Sequence, residues 1–590
     1  MLIKSYDWRE HSTEGEDYYI AMWGHNRKNE VCFVKITGFT PRCWFHPSKR
    51  VNSTEMKNIK NDIKTRFNGK GLLDIKVQKR FPIRYYQKEK ELYLFVVADS
   101  VQSMREISKY IRFNVSKSSY DSKNITIPNQ YGTKTRNKHK KSKLKFYAEE
   151  GSIDNVVKLL YKRDATFTSW FDVPDSKRKD TPSAYLKGVD HEFVIKHTQL
   201  NESTDENCDK YQTNPLVFSF DIETYSHNHK AFPDANSSQD VVNLIAASWK
   251  RFGLQVPAKK KVFVLGECSD LDLPNCEIEM FPIENIEKKR TKINFITNAE
   301  TKLIKAFMDL INEVNPDILI GHNIFSFDYP YLYTRLARNN DDWSNTSRTT
   351  DPPGHYDQTW SSSAHRDVHI EYADMEGRVN IDLLTLIKHD YKLPDYKLNS
   401  LADKFLNDSK DDFAPVRMFK TFKNYLDNHK DPAVMEEMDK FVHYVIQDAD
   451  LVLRIFDKVL GWITITEMSR VVSINPREVY TRGEQIRVLN QAYRIAKENK
   501  IVIGNPERDE SKFIGGFVGT PIVGVHDDVA CLDYKSLYPS IIQDGNICLT
   551  TAIREEDIGD FDEDEYVLIE CEEDIKDEKE EEEEDEDEKS

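Results

Sequence analysis

At 590 residues the chain is too long for one hydrophobic core, and its length points to about three or four domains. It is 39% hydrophobic and 11% aromatic, the composition of a soluble protein with plenty to bury. The net charge of −17 does not exclude nucleic acid as a partner, because Glu570 to Ser590 alone holds 15 Asp or Glu against 3 Lys; taking that −12 from −17 leaves −5 for the rest. The eight cysteines are scattered with no C-x-x-C pair, which argues against a zinc module or disulfide framework and for a reducing, intracellular compartment. MLIKSYDWRE has no apolar signal core and no apolar run approaches membrane-spanning length, so no membrane association is expected.

Residues 1–200 alternate β-rich runs, such as Tyr18–Trp23, Val31–Ile36 and Leu92–Val97, with polar helical stretches, an α+β pattern. Within it, KTRNKHKKSKLK from Lys134 to Lys145 is basic enough to neutralise phosphates or serve as a nuclear address, and a solvated surface insertion explains it equally well. Asn201–Asn214 is polar and turn-rich, a linker. LVFSFDIETYS, Leu216–Ser226, then reads as a buried strand ending at Asp221 and Glu223. Side chains alternate across a strand, so the two acids share a side. Two like charges there are costly unless cations lie between them, and hard oxygen donors without thiols suit Mg²⁺ or Mn²⁺ better than zinc. A strand ending in a solvated acidic turn has the same short pattern, so the remaining chain must decide.

Val241–Trp249 and Lys261–Leu265 extend a sheet, and Thr301–Val314 sets Leu303, Ile304, Phe307, Leu310 and Ile311 on one helical face. DILIGHNIFSFDYPYL, Asp317–Leu332, supplies another strand, a Gly-His-Asn turn and Asp328 at the opening of an apolar helix, where an Asp also serves as a cap. The polar stretch Asn339–Asp374 reads as a long loop or hairpin projecting from the core. In the helical segment Glu436–Leu460, Tyr444 and Asp448 stand four apart on one face, among Phe441, Val445, Leu451 and Val452. Strand acids, an Asp after a strand and turn, and a helical Tyr and Asp are the parts of a two-metal phosphoryl-transfer centre.

FDIET, NIFSFD (Asn323–Asp328) and YVIQD (Tyr444–Asp448) resemble the three exonuclease motifs of family B DNA polymerases. GRVNIDLL with Asp382, DYKLNSLADKFL from Asp395 and EMSRVVSINPREVYTRGEQIRVL from Glu467 are similar to connecting segments of the delta-type enzymes of eukaryotes and large DNA viruses. FIGGFVGTPIVGVHDDVACLDYKSLYPSII, Phe513–Ile542, resembles the family's G-G motif followed by polymerase motif A. The resemblance covers residues 200 to 555, in family order.

The resemblance implies an α/β architecture: an α+β N-terminal domain (1–200), an RNase H-like 3′-5′ exonuclease domain (201–460), connecting helices with an incomplete polymerase palm (461–569), and an acidic, disordered tail (570–590). It implies that Asp221, Glu223, Asp328 and Asp448 bind two Mg²⁺ ions, with Tyr444 holding the attacking water, in a proofreading exonuclease acting on the single-stranded 3′ end of primer-template DNA. Val529–Leu532 reads as a buried strand that delivers Asp533 to a sheet edge as a metal ligand. The main chain at Ser536 and Leu537 would meet a deoxynucleoside triphosphate, and Tyr538 would exclude a 2′ hydroxyl. Asn323, Gly515 and Gly516 are the expected DNA contacts, the glycines because they lack a Cβ. The segment after Asp328 sits where the family carries a strand-separating hairpin.

The family's Y-G-D-T-D-type turn and its fingers helix with Lys and Asn occur nowhere in these 590 residues. The expectation is therefore an exonuclease with motif A that cannot extend a primer by itself. Completion by a second polymerase chain, a sliding-clamp partner, and a nuclear or cytoplasmic replication site accompany it. A non-catalytic or split-polymerase subunit and a free-standing 3′-5′ DNA exonuclease are the alternatives.

Overall fold

The computed structural model describes residues 1–12, 17–48, 51–115, 144–269, 271–284, 292–360, 368–408, 413–504 and 519–568. Nearly all of the basic run 134–145, both Gly515 and Gly516, and the acidic tail from 570 lie outside them. Among the described residues no helix is long and apolar enough to cross a membrane.

The N-terminal region is α+β, as its mixed pattern predicts, and contains two sheets. Leu2–His11, Tyr19–Asn26 and Val31–Thr37 form an antiparallel meander, flanked by Trp170–Asp172 and Asn201–Glu202 on one side and by His191–Lys196 on the other. The second sheet runs strand (Arg42–Pro47), helix (Ser53–Arg66), strand (Leu72–Pro82), strand (Glu91–Ala98), helix (Val101–Phe113), strand (Phe146–Glu149). Met56, Ile59 and Ile63 of the first helix and Ile107 and Ile111 of the second share a core with Phe45, Leu94 and Val96. Ile501–Val502 pairs in parallel with Leu72–Pro82, and Tyr493 and Ala496 of the helix Glu484–Glu498 enter the N-terminal core. Residues beyond 461 thus return to the N-terminal region.

That return buries Glu150 against Tyr493 and Lys158, and burial pushes its carboxyl up to about 7 although Lys158 pulls the other way. The folded state therefore holds this proton more tightly than the unfolded chain does. The stabilisation is complete below the unfolded pKa and is lost as pH rises through about 7. Glu150→Gln is expected to remove a decline on the order of 2–3 kcal/mol between pH 4.5 and 7.5, read from urea unfolding at stepped pH.

The central sheet consists of β1 (Leu216–Tyr225), β2 (Val241–Arg251), β3 (Lys259–Leu265), β4 (Cys276–Phe281), β5 (Ile318–Gly321) and, beyond a hairpin of β6 (Gly354–Trp360) and β7 (Val368–Asp374), β8 (Val379–Asp382). Its order is β4-β3-β2-β1-β5-β8. β1–β2 and β2–β3 pair antiparallel, and β5 and β8 continue parallel to β1. This is the expected RNase H-like arrangement. Helices α1 (Lys292–Val314) and α2 (Asp328–Arg338) precede the hairpin, and α3 (Leu383–Asp390) and α4 (Pro432–Lys458) follow it.

The alternation of β1 decides what each face meets. Phe218 and Phe220 point to α1, with ring centroids 6.2 and 5.3 Å from Phe307. Val217, on the opposite face, shares a cluster with Leu451 and Val452 of α4. Asp221 and Glu223 have the parity of Val217, so they too face α4. The register of β1 on β2 slips after Glu223, a bulge of the kind found where a sheet re-aims side chains.

The segment Asn339–Asp374 is a hairpin with a buried base. β6 and β7 pair from Gly354↔Asp374 to Trp360↔Val368, Tyr356 stacks on Tyr372, and His355 stacks on Tyr333 of α2.

Val529–Leu532 does not form the buried strand expected of it. Residues 519–568 contain no strand, Val529 and Leu532 are 73% and 93% exposed, and the helices there are the short Leu537–Asp544 and the 3-10 stretch Glu555–Asp560. An apolar run becomes a buried strand only when neighbouring strands cover it, and no described strand pairs with this one. The downstream end of the segment is held by the N-terminal region instead: the Tyr85 and Tyr86 amides donate to the Leu549 and Ala552 carbonyls, and Arg554 pairs with Glu91.

Candidate metal centre

Three of the predicted acids meet. Asp221 and Glu223 from β1 and Asp448 from α4 each offer a carboxylate oxygen, and these all lie within 4.8 Å of one another. Asp448 is buried and the two strand acids are half-buried. Tyr444, one turn before Asp448, hydrogen-bonds to it. Burial first, then the charges of Asp448, Glu223 and Asp221, push its phenol far above the usual range. Phe413 packs on Tyr444 and stacks on Phe441, which fixes the ring from behind.

Asp328 does not join this trio. It is the first residue of α2, yet its side chain does not cap the helix; Oδ1 instead accepts from the Ile222 amide at 3.0 Å. Ile222 lies between Asp221 and Glu223, so the Asp328 carboxylate sits against the same strand, at its backbone edge. Burial pushes this carboxyl up to about 7, and Asp382 adds to the rise.

Asp382 was not picked out by its chemistry. At the end of β8 it is 3% exposed, accepts from the amides of Asn323 and Phe325 at 3.0 Å each, and caps α3 through Leu384 N at 2.8 Å. It thereby shapes the His322–Asn323 turn, where Asn323 adopts φ +69, in the left-handed region that Asn tolerates. An acid closing an apolar strand and opening an apolar helix is a legible cap signal.

A donor set of three carboxylates without thiol or imidazole fits a hard divalent cation. So does the crowding of like charge, which a bound cation relieves. Asp533 belongs to no such cluster among the described residues and is exposed, as are Ser536, Leu537 and Tyr538, the last by 71%.

Residues 149–401 match the model of the DNA polymerase family B exonuclease domain, and residues 474–585 match that of DNA polymerase family B. Tyr444 and Asp448 fall between the two matches, so their place beside β1 is carried by the fold. DNA polymerase 120R of Invertebrate iridescent virus 3 is 27% identical over 572 residues, 94% of this chain and 47% of that protein. The DNA polymerase delta catalytic subunit of Schizosaccharomyces pombe is 26% identical over 418 residues, 68% of this chain and 35% of that protein. The chain therefore spans half or less of the length of these relatives. The family B DNA polymerase of Pyrobaculum calidifontis shares the fold with a TM-score of 0.56 at 17% identity, over 92% of this chain and 57% of that one. With both family models matched in order along its length, the first over the RNase H-like sheet, the chain belongs to the family B DNA polymerases.

Proposed function

We propose that Asp221, Glu223 and Asp448, with Asp328 and Tyr444 beside them, are the active site of a 3′-to-5′ exonuclease acting on single-stranded DNA ends. The convergence of three carboxylates from a strand and a helix under one tyrosine hydroxyl carries this reading. The three acids would hold Mg²⁺, with Asp328 as the further candidate ligand. When bound, divalent ions polarise the scissile phosphate and acidify the attacking water.

The chain's own contribution is positional. The Tyr444 Oη keeps its proton at neutral pH and so remains a hydrogen-bond donor. Phe413 and Phe441 hold that hydroxyl in place, which is what orienting a water requires. Asn323, in a turn fixed by Asp382, is the proposed DNA contact. Gly515 and Gly516 are proposed as a second one.

The test is digestion of a 5′-labelled single strand. The 590-residue chain is expected to shorten it from the 3′ end with added Mg²⁺ and to leave it intact in chelator or when the 3′ end is blocked. Absence of Mg²⁺-dependent shortening would refute the proposal and favour a non-catalytic subunit. Tyr444→Phe is expected to lower kcat about 10- to 100-fold with little change in KM, since it removes one hydrogen bond to a charged group.

For synthesis, we propose Asp533 as a metal ligand and Ser536, Leu537 and Tyr538 as nucleotide contacts of a centre that needs groups these 590 residues do not contain, supplied by a second polymerase chain or by further sequence. The exposure of residues 521–550 supports this reading. Primer extension by the 590-residue chain is expected to yield no templated product. A clamp partner and a nuclear or cytoplasmic replication site accompany the proposal.

A further inference from the structure

At the seam between the N-terminal sheet and the nuclease sheet lies a cavity of about 270 Å³, lined by Lys187, Gly188, Asn312, Asn315, Asn345 and Arg378. In a chain with 100 Asp and Glu against 83 Lys and Arg, this lining holds two cations, three amides and no carboxylate.

Arg378 is 2% exposed and therefore ought to be satisfied by a counter-charge. It is not. Its Nε donates to the Thr346 carbonyl at 2.8 Å, and its Nη1 donates to the Asn315 Oδ1 at 3.0 Å and to the Pro316 carbonyl; all three acceptors are neutral. Among the described residues its Nη2 has no acceptor at all. The nearby carboxylate, Asp317, is already committed to Arg348 at 2.8 Å and His25 at 2.9 Å. Burial, then the Arg348 charge, hold the Arg378 guanidinium down at about 9.

The loop bearing Lys187 is built to close on this spot. Gly188 has φ +60, and a Cβ there would fall 2.3 Å from the Asn315 Nδ2, so only glycine lets the loop approach. The Asn315 Nδ2 donates to the Gly188 carbonyl at 2.8 Å, and the Lys187 Nζ donates to the Asn345 Oδ1 at 3.1 Å.

We propose that this cavity is a binding site for a phosphate monoester, gripped by the free Nη2 of Arg378 and by Lys187. Guanidinium and ammonium donors with flanking amides suit a tetrahedral dianion. The volume lies just below the roughly 300–1,000 Å³ of pockets that bury drug-sized ligands, and no aromatic ring lines it to stack a base. The phosphate is therefore what is recognised, whether free or at the 5′ position of a nucleoside. The site is distinct from the acid centre. Arg378 precedes β8, whereas Asp221 and Glu223 stand on β1 just past the level where β5 and β8 end, about 13 Å of strand away.

The test is calorimetric titration of the 590-residue chain with inorganic phosphate and with deoxyadenosine 5′-monophosphate, in chelator and at constant ionic strength. Saturable binding at one site is expected, weakened at least about tenfold by Lys187→Glu, a surface change that leaves the fold intact. Asn345→Asp, which places a negative charge in the lining, is expected to act in the same direction. Tighter binding of the nucleotide would identify a mononucleotide as the occupant, and equal binding would identify free phosphate. No saturable binding of either, unchanged affinity in Lys187→Glu, or loss of binding in Asp221→Ala, which would move the site to the acid centre, would each overturn the proposal.

Discussion

Asp221→Ala is expected to reduce Mg²⁺-dependent digestion of single-stranded DNA by at least about 10³-fold and, in chelator, to make the folded chain more stable than the wild type. Both effects have one cause. Asp221, Glu223 and Asp448 crowd their oxygens within 4.8 Å, and without a cation they repel one another. Removing one carboxylate relieves about 1–3 kcal/mol of that repulsion at the effective dielectric of a half-buried site. With Mg²⁺ the order reverses: the wild type gains stability from the ion, and the variant gains little. Thermal melting of both proteins with and without Mg²⁺, beside the digestion assay, separates a ligand from a merely structural acid. Equal Mg²⁺-induced shifts in the two proteins would remove Asp221 from the centre even if activity fell.

The parts of this centre that could be read from sequence were those whose periodicity matches their burial. The two-residue spacing of Asp221 and Glu223 predicts a shared face, and the parity of Val217, Asp221 and Glu223 puts that face against α4. The four-residue spacing of Tyr444 and Asp448 predicts their common direction in the same way. Asp328 eluded this logic because a residue at a helix start has several acceptors and donors within reach; only the fold sends its carboxylate to the Ile222 amide. The apolar run Val529–Leu532 misled for the complementary reason. Hydrophobicity states that a strand would be buried if partners covered it, and coverage is a property of the rest of the sheet.

Buried ion pairs were the other illegible class, although the sequence carried a trace of them. Asp7, Arg9, Asp374 and Arg477 join the N-terminal meander to the hairpin and to the stretch after it, with Arg9 Nη1 donating to Asp374 Oδ2 at 2.5 Å and Arg477 Nη1 at 3.0 Å. Residues 103 and 365 positions apart cannot be paired by spacing. Glu300 and Arg335 are different, since each interrupts the apolar stripe of its own helix. Glu300 falls between Ile296 and Ile304, and Arg335 between Leu332 and Leu336. Opposite charges on two inward faces are a reason to expect the helices to meet there.

Arg335→Met is accordingly expected to destabilise the fold by about 3–5 kcal/mol, the typical cost of leaving one partner of a buried pair behind. Arg335 Nε donates to Glu300 Oε1 at 2.9 Å and Nη2 to Oε2, while Nη1 donates to the Ala235 and Ser237 carbonyls. Glu300 Oε1 also accepts from the Val242 amide at 2.8 Å. The guanidinium thus ties α2 to α1 and to the loop between β1 and β2, and the carboxylate it holds ties both to the start of β2. Methionine keeps much of the volume but satisfies none of these acceptors, so Glu300 is left as an uncompensated buried charge. Burial already pushes the Glu300 carboxyl up with Arg335 in place, and without the arginine it must rise further. A carboxyl whose folded-state pKa is raised costs stability as pH climbs above its unfolded value, so the deficit of Arg335→Met should shrink as pH falls toward 5. Urea unfolding of Arg335→Met at pH 5 and pH 8 measures this. The double variant with Glu300→Leu should recover part of the loss at pH 8, but not all of it, because the Val242 amide and the loop carbonyls stay unpaired. A loss below about 1 kcal/mol, or one independent of pH, would show that water reaches Glu300 and that the pair does not hold the two helices together.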